Sequence, residues 1–316
     1  MQPEPGGRRP GHGLAALEPG HQALMSHGVP DCAVLAASFA RQGADAGEQV
    51  WIAVCPPLGH ELRGELGGQR HVSFLDMAEL GRNPARIIAA MLDFARRHAG
   101  ARLRFICEPM WAGRSSAEQA EVARHEALVE RAMAGLSASV LCLYQTAGLE
   151  PAAVGCGWQA HRVLMADGRQ QVSPRYAGEG VIPAPYDRPL PAPPAGAVCV
   201  RYRTDLQPVR AAVSGAAFRA RLADGRESDL VLAVSEVAAN TLRYTGGGGI
   251  MHIWRVGAEL VCQVSDSGTI SDPLAGRRRP ASDASGHGLW LVNQVCDLAE
   301  LRSGPAGTTM RMHVRL

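Results

Sequence analysis

A carboxylate and a carboxamide stand four residues apart in the second half of the 316-residue chain, at Glu236 and Asn240. The periodicity of the neighbouring apolar residues predicts a helix over residues 227–244, which places both side chains one turn apart on the same face. An amide oxygen suits a hard cation such as Mg²⁺ that bridges nucleotide phosphates, and the carboxylate could orient or deprotonate an attacking hydroxyl or water. Taken alone, such a pair is more typical of a solvated polar helix face.

Two glycine-containing motifs follow the pair. Asp266 and Gly268 come directly after a predicted strand at residues 259–265. An aspartate at that point can accept a hydrogen bond from the exocyclic amine of adenine, and a glycine lets the backbone pass close to the ring. A simple Asp-Ser-Gly turn is the alternative, since these residue types are common in turns.

Further on, Gly286-His287-Gly288-Leu289 opens a predicted helix that ends near residue 298, and Thr308 leads into a predicted strand at residues 310–316. Glycines at a helix N-terminus expose backbone N–H groups that can bind phosphate. Each motif is weak by itself, but their order along the chain indicates a nucleotide pocket. Residues 269–285, named here the lid segment, carry Arg277-Arg278-Arg279 and predict a mobile loop whose arginines approach phosphates or lie in solvent.

The composition narrows the classes of function. All 32 basic residues are arginine, which excludes a P-loop with its phosphate lysine, a eukaryotic-type kinase strand lysine and Schiff-base chemistry. The net charge of +2 provides no basic face for nucleic acid. The chain shows neither a membrane-spanning run nor a signal-peptide pattern, so we expect a cytoplasmic protein that does not bind membranes.

The eight cysteines are scattered, without a Cys-x-x-Cys pair or zinc-like spacing to histidine. Several stand inside apolar runs, where cysteine is usually a small buried hydrophobe. We therefore expect reduced thiols in the core and neither disulfides nor a metal site.

The first half of the chain alternates short apolar runs with longer helical patterns, which predicts a parallel sheet with helices on both faces. The predicted strands are residues 21–26, 49–54, 72–75, 103–107 and 139–143, and the predicted helices are residues 31–44, 58–66, 84–98 and 116–134.

Ligands of such sheets bind beyond the carboxyl ends of the strands, where polar and aromatic residues could line a small-molecule pocket. The alternative is that the acids cap helices or pair with arginines. His125-Glu126 on the following helix is predicted to be an exposed or helix-packing pair. The candidate pocket residues are Asp76, Glu108, Trp111, Arg114 and Tyr144.

The predicted organisation is a disordered leader (1–20), a first domain (21–165), a linker (166–197) and a second domain (198–316). The linker contains six prolines between Pro183 and Pro194, which favour an extended, semi-stiff connector.

Residues 76–84, the loop at residues 108–115 and residues 124–128 resemble the MEDS sensory domain of methanogen, methylotroph and dichloromethane-regulator proteins over about residues 21–160. The resemblance implies a sensor for an unidentified small molecule of the hydrocarbon type. It carries no catalytic residues over to this chain.

The ordered motifs of the second half resemble the GHKL (histidine kinase-like, Bergerat) ATPase superfamily, which implies an α/β sandwich. By this resemblance Glu236 is the catalytic base and Asn240 the magnesium ligand. Asp266 contacts adenine, with Gly268 at its turn and Thr308 nearby. The remaining nucleotide-binding positions, which form the phosphate loop, are Gly286, His287, Gly288 and Leu289.

The length of this domain and the run from Gly286 to Gln294 are most similar to the anti-sigma regulatory type. The expected activity is ATP- and Mg-dependent phosphorylation of a serine or threonine in an anti-anti-sigma (STAS-type) partner, with or without sequestration of a sigma factor. One alternative is an ATP-binding sequestration module without catalysis. Another is a sensor histidine kinase, although the linker offers no helix for a phosphoacceptor histidine. Related kinases pair, so a homodimer is compatible with the resemblance.

Overall fold

The structure is a computed structural model that describes residues 20–166, 169–223, 225–280 and 286–316. The predicted leader lies outside the described residues except for Gly20, as do residues 281–285 of the lid segment.

Within the described residues, the first half of the chain forms a seven-stranded sheet in the order β3-β2-β4-β5-β1-β6-β7. All neighbouring pairs are parallel except β6 and β7, which are antiparallel at one edge. The parallel sheet predicted from the apolar runs is confirmed. The strands are β1 (His21–Ser26), β2 (Gln49–Val54), β3 (Val72–Asp76), β4 (Leu103–Cys107), β5 (Ala138–Gln145), β6 (Val163–Ala166) and β7 (Arg169–Val172).

Helices cover both faces of this sheet, because consecutive strand residues point to opposite sides. Leu141 and Leu143 pack with α1 and α2, whereas Cys142 and Tyr144 pack on the other side with α4, α5 and α6. The helices are α1 (Val29–Asp45), α2 (Pro56–Leu66), α3 (Met77–Leu80), α4 (Ala85–Arg97), α5 (Ser116–Met133) and α6 (Pro151–Ala160).

Helix α5 starts with a capping box. The Ser115 hydroxyl accepts a hydrogen bond from the Glu118 backbone N–H at 3.3 Å, and the Glu118 carboxylate accepts one from the Ser115 backbone N–H at 2.8 Å. Two N–H groups that the helix leaves unpaired are thereby satisfied. The start of α5 is thus well defined, which matters because this helix contacts both domains.

The segment predicted as the linker is only partly extended. Its first residues form β7 at the edge of the first sheet, and residues 173–197 contain neither helix nor strand. This part packs against both domains, since the Tyr186 hydroxyl donates to Gln119 on α5 at 3.0 Å and Arg311 in the second domain donates to the Pro191 carbonyl. The proline-rich stretch is therefore attached to the two domains at Tyr186 and Pro191.

Within the described residues, the second half forms a five-stranded antiparallel sheet in the order β11-β12-β10-β9-β8. Helices α7, α8 and α9 bury its apolar face, which is the predicted α/β sandwich. The elements are β8 (Val198–Tyr202), α7 (Gln207–Ala220), α8 (Arg226–Thr245), β9 (Gly249–Val256), β10 (Glu259–Asp266), α9 (His287–Val295), β11 (Leu298–Gly304) and β12 (Gly307–Arg315).

Strand β11 was not predicted, and the helix expected to reach residue 298 ends at Val295. The periodicity of a run as short as Leu298–Leu301 is compatible with both a helix and a strand. In the structure this segment is a strand, because it pairs with β12 and Leu298 lies opposite His313.

The opposite face of the second sheet is polar and lies against the linker and α5. Gln263 and Arg311 are hydrogen-bonded there at 2.6 Å, and His313 lies between the carboxylates of Glu259 and Glu300 at 3.0 and 3.1 Å. Polar side chains on a covered sheet face need hydrogen-bond or ion-pair partners, because burying an unpaired polar group costs free energy. The two domains consequently meet through hydrogen bonds and ion pairs as well as apolar contacts.

All eight cysteines lie within the described residues, and none of them forms a disulfide. Six of the eight are buried, in agreement with the prediction of core thiols. In the described part of the chain, no helix is both long enough and apolar enough to cross a membrane.

The His313 cluster predicts a pH dependence of stability. Burial by itself lowers the pKa of His313, but the hydrogen bonds and charges of Glu259 and Glu300 raise the pKa from 6.5 to about 9. His313 is protonated in both folded and unfolded chains below pH 6.5, so its stabilisation is complete there and is lost as the pH rises through 9. We expect the free energy of unfolding in urea to fall across this window by up to about 3 kcal/mol, at about 1.4 kcal/mol per pKa unit.

The variant His313→Gln should lose this dependence, whereas His252→Gln on β9, which β10 separates from β12, should keep it. Equal pH profiles for wild type and His313→Gln would contradict the assignment.

Candidate functional site

Glu236 and Asn240 lie half-buried on α8 and face the start of α9. A side-chain carbon placed at Gly288 would stand 2.7 Å from Glu236 Oε2 and 3.4 Å from Asn240 Nδ2. A carbon does not approach an oxygen to 2.7 Å without displacing it. The structure thus brings the predicted base, the predicted magnesium ligand and the second glycine of Gly-x-Gly into contact, and a side chain at position 288 would displace the Glu236 carboxylate.

Asp266 at the end of β10 accepts hydrogen bonds from two neighbours. Its Oδ2 accepts a hydrogen bond from Thr241 Oγ1 at 2.6 Å, and its Oδ1 accepts one from the Gly268 backbone N–H at 2.8 Å. The Thr308 hydroxyl on β12 donates to the Gly268 carbonyl at 2.8 Å. The carboxylate keeps unused acceptor capacity, because two oxygens offer about four lone pairs.

Thr241 is a residue of this site that the sequence motifs did not reveal. It follows Asn240 directly, its hydroxyl donates to Asp266, and it accepts a hydrogen bond from Tyr202 at 3.1 Å. The only sequence signal was its place beside Asn240 on the predicted helix. Through Thr241, helix α8 connects the two halves of the pocket, the Glu236–Asn240 face and the Asp266 turn.

The start of α9 has the geometry that a phosphate site requires. Gly286 is left-handed, with φ of 91°, and as the N-cap it has no side chain that could bond to the first N–H groups of the helix. The first N–H groups of a helix without a side-chain cap can donate to an anion. His287 lies edge-on to Trp290 with ring centroids 6.4 Å apart, and Leu289 packs against the apolar core.

The described part of the lid segment is docked on the first domain. Leu274 is buried in the apolar core of the first domain, on the side of the sheet that carries α5. Asn293 on α9 donates a hydrogen bond to the Gly276 carbonyl at 2.9 Å. Arg278 pairs with Asp272 within the segment, and Arg279 stands over the Trp290 ring at 5.5 Å. The described part of the lid is thus held by contacts with the first domain and with α9.

Glu121 on α5 provides the strongest of these contacts. Its fully buried carboxylate accepts hydrogen bonds from lid residue Arg277 at 2.7 Å and from Arg302 on β11 at 2.6 Å. Arg124 lies 3.7 Å away on the next turn of the same helix. Burial lowers the pKa of Arg277, so the neighbouring carboxylate is what stabilises its charge at this position.

The residues predicted to line a sensor pocket divide between two places: Asp76, Glu108 and Arg114 lie around Cys55 at the carboxyl edge of the sheet, whereas Tyr144 lies beside Glu126. Asp76 caps α3 by accepting from the Ala78 N–H at 2.8 Å, and Arg114 stacks on Trp111 at 3.3 Å while donating to the carbonyls of Pro109 and Gly81. Asp76 therefore caps a helix, which is the alternative to a pocket role considered from the sequence, and Arg114 and Trp111 likewise make structural contacts.

Glu108 lies at the carboxyl edge of the sheet, as expected from its position after β4. It accepts from the Cys55 backbone N–H at 2.7 Å and from Gln145 Nε2 at 2.5 Å. Burial raises its pKa, while the hydrogen bonds from Cys55 and Gln145 act in the opposite direction. Among the predicted residues, Glu108 is the buried acid that could meet a ligand at this edge.

Tyr144 is on the other side of β5, facing away from Glu108. Its hydroxyl donates to Glu126 Oε1 at 2.8 Å, and Glu126 Oε2 lies within 3.0 to 3.4 Å of His21, Cys142 and His161. Of the two interpretations of His125-Glu126, exposed or helix-packing, the exposed one is wrong, since both side chains are buried. His21 and Cys142 are 3.3 Å apart although the sequence shows no zinc-like spacing, because β1 and β5 are neighbouring strands.

Two buried histidines here, His21 and His125, have pKa values that favour their neutral forms. Burial and the neighbouring His161 lower the pKa of His21 to about 4, and burial lowers the pKa of His125 to about 3. Burial would raise the pKa of Glu126, but His161 and His21 hold it well below its ordinary value. Residues separated by more than 100 positions form this group, which no local sequence pattern could have indicated.

Comparison with protein families identifies both halves of the chain. Residues 20–162 match the MEDS (MEthanogen/methylotroph, DcmR Sensory) domain, and residues 201–314 match the histidine kinase-like ATPase domain. No curated protein matches the chain. The order of the two domains is the one that the sequence motifs predicted.

The ATPase domain implies ATP binding, and the residues present fit that ligand. Gly288 and Gly268 leave room where side chains would meet Glu236 and Thr245, and the start of α9 offers free backbone donors. The donor set also fits a magnesium ion, for which an amide oxygen of Asn240 is a suitable ligand.

The close approach at Gly288 predicts the effect of adding a side chain there. Gly288→Val should weaken binding of a fluorescent ATP analogue at least 100-fold, about 2.8 kcal/mol, because the added carbons displace Glu236 and close the helix start. Gly215→Ala on α7, where the nearest neighbour is the tip of the flexible Arg219 side chain at 3.3 Å, is the matched control and should bind normally. Unchanged binding by Gly288→Val would show that nucleotide binds elsewhere.

Proposed function

We propose that this chain, in which a MEDS sensory domain precedes a histidine kinase-like ATPase domain, is a cytoplasmic regulator whose sensor controls an ATP-dependent protein kinase of the anti-sigma type. The acceptor is a serine or threonine of an anti-anti-sigma partner with a STAS-type fold. The chain also sequesters a sigma factor in one of its states. The observation that carries the proposal is the contact of Glu236, Asn240 and Gly288 at the start of α9.

Each residue of the pocket has a defined task in this proposal. Asp266, oriented by Thr241 and the Gly268 N–H, accepts from the adenine amine. The first N–H groups of α9 bind phosphate oxygens, and Asn240 holds Mg²⁺, which when bound neutralises charge on the phosphates. Glu236 accepts the proton of the acceptor hydroxyl as its oxygen bonds to the γ-phosphorus and the bond to the bridging oxygen of ADP breaks.

The docked lid provides a route by which the sensor controls the kinase. Arg277 and Leu274 of the lid contact the first domain, while Asn293 joins α9 both to the lid and to Asn83, whose Nδ2 donates to the Asn293 carbonyl at 3.0 Å. A change in α4 or α5 on ligand binding therefore acts directly on the lid and on the phosphate-binding helix. We infer that the docked lid restrains the kinase, because Arg277 of the lid points at Glu121 and not at the nucleotide pocket.

The histidine-kinase alternative has less support. Such an enzyme needs a phosphoacceptor histidine on a helix before the ATPase domain, and residues 173–197, all described, contain no helix. His161 is fully buried and bonded to the Gly157 carbonyl at 2.9 Å. The sequestration module without catalysis uses the same pocket, so the experiment below has to separate it from the kinase.

The kinase proposal predicts phosphate transfer from labelled ATP to a STAS-type partner, with acid-stable phosphoserine or phosphothreonine as product. Asn240→Ala should lose both nucleotide binding and transfer, because the metal ligand is removed. Glu236→Gln should keep nucleotide binding within about threefold and lower the transfer rate at least 100-fold, the upper part of the range for general-base catalysis.

The control is Glu227→Gln in the first turn of the same helix, which should transfer at the wild-type rate. Nucleotide-dependent capture of a sigma factor without any transfer by wild type would favour the sequestration module. Acid-labile phosphate on the chain itself would favour the histidine kinase.

The lid contact predicts a second result. Glu121→Gln leaves Arg277 and Arg302 without their buried carboxylate, a loss worth about 3–5 kcal/mol for buried pairs, so the lid should detach. Limited trypsin digestion should then cut after Arg277 at least ten times faster than in wild type. Glu118→Gln is the matched control, because it removes only the exposed pair with Arg315 at 3.2 Å and retains the capping box. Equal protection of both variants would contradict the restrained lid.

A further inference from the structure

Four buried side chains from separate elements converge inside the sensory domain. They are His21 on β1, Glu126 on α5, Cys142 on β5 and His161 at the end of α6, and each is 7% exposed or less. One ligand atom from each lies within 4.8 Å of all the others. We propose that the sensory domain binds one divalent transition-metal ion, Zn²⁺ in the first instance, through His21 Nε2, Glu126 Oε2, Cys142 Sγ and His161 Nε2.

The distances match the edges of a tetrahedron. Zinc bonds of about 2.0–2.1 Å to nitrogen or oxygen and about 2.3 Å to sulfur place tetrahedral ligands roughly 3.4–3.6 Å apart. Glu126 Oε2 lies 3.0 Å from His21 Nε2, 3.4 Å from Cys142 Sγ and 3.4 Å from His161 Nε2. His21 Nε2 and Cys142 Sγ are 3.3 Å apart. Shifts of a few tenths of an ångström would complete these four edges.

The hydrogen bonding of His161 points its free nitrogen into the cluster. Nδ1 lies 2.9 Å from the Gly157 carbonyl, which can only accept, so Nδ1 carries a hydrogen. Nε2 is buried, and among the described residues it has no hydrogen-bond partner although Glu126 is 3.4 Å away. Nε2 and Glu126 Oε2 therefore face each other inside the cluster, and a cation between them would bind both.

The surrounding shell supports the same interpretation. Tyr144 donates to Glu126 Oε1 at 2.8 Å, which leaves Oε2 directed inward. Metal-binding histidines usually donate their second nitrogen to a carbonyl or carboxylate, as His161 does to Gly157, and ligating carboxylates are themselves hydrogen-bonded. Each of these partners fixes the orientation of one proposed ligand.

The donor set selects the class of metal. Two imidazoles, a thiolate and a carboxylate suit Zn²⁺, Co²⁺, Ni²⁺ or Fe²⁺, and they are a poor match for Mg²⁺ or Ca²⁺, which prefer oxygen ligands. Binding releases the thiol proton of Cys142. The charges of the thiolate and the carboxylate then balance a divalent ion, which is the condition for burying them together.

The site would also stiffen the helix that holds the lid. Glu126 is five positions after Glu121 on α5, and the proposed ion joins α5 to β1, β5 and the end of α6. Metal binding and lid docking therefore share one rigid element, but the metal site stands or falls independently of the kinase.

The test uses the full-length chain, stripped of metal with a chelator, dialysed and titrated with Co²⁺. We expect one equivalent to bind, with visible bands of tetrahedral cobalt and a thiolate-to-cobalt charge-transfer band, and Zn²⁺ should displace it. Cys142→Ser should lose the charge-transfer band, and His161→Gln should weaken binding at least 100-fold. The matched controls, Cys32→Ser on α1 and His98→Gln after α4, should titrate as wild type does.

Circular dichroism of each variant confirms that it is folded. Folded wild-type protein that takes up less than a tenth of an equivalent of Co²⁺ and of Zn²⁺ would overturn the proposal, whatever the variants do. Equal binding by wild type, Cys142→Ser and His161→Gln would overturn it as well, because the metal would then lie elsewhere.

Discussion

The buried carboxylate of Glu121 is the interaction on which the arrangement of the two domains depends. A charge with no exposed surface is stable only where opposite charge and hydrogen-bond donors surround it. Here the donors come from the other domain, Arg277 in the lid and Arg302 on β11, at 2.7 and 2.6 Å. The sensor therefore supplies the acid, and the ATPase supplies two arginines that bond to it, beside Arg124 of the same helix at 3.7 Å.

Helix α5 carries this contact and two others. Glu118 at its start pairs with Arg315 on β12, Glu121 holds the lid, and Glu126 lies in the His–Cys cluster against the sheet. One helix thus connects the interior of the sensory domain with the lid of the nucleotide pocket. A rigid element shared by two sites is the physical requirement for coupling between them.

The pocket itself depends on close packing more than on charge. Gly288 touches Glu236 and Asn240, and Thr241 links the same helix to Asp266. Such contacts fix the separation of Gly288 and Asp266 at the two ends of the pocket. The lid differs in kind, because its contacts with the first domain are ion pairs and one inserted leucine, Leu274.

The sequence alone predicted the fold class, most strand and helix positions and the nucleotide motifs. Those features depend on local periodicity and on glycine, aspartate and asparagine types at short spacing. It also separated the chain correctly into a sensory part and an ATPase part. It missed β11, because the strand character of Leu298–Gly304 comes from pairing with β12.

Only the tertiary structure decided which distant residues meet. His21 and Cys142 become neighbours because β1 lies between β5 and β6, an order that the chain does not state. Arg277 of the lid, predicted from the sequence to approach phosphate or lie in solvent, bonds to Glu121 because α5 covers the polar side of the second sheet. Local sequence determines the elements and their chemistry, whereas sheet order and domain packing determine the long-range contacts, since these depend on which faces can be buried together.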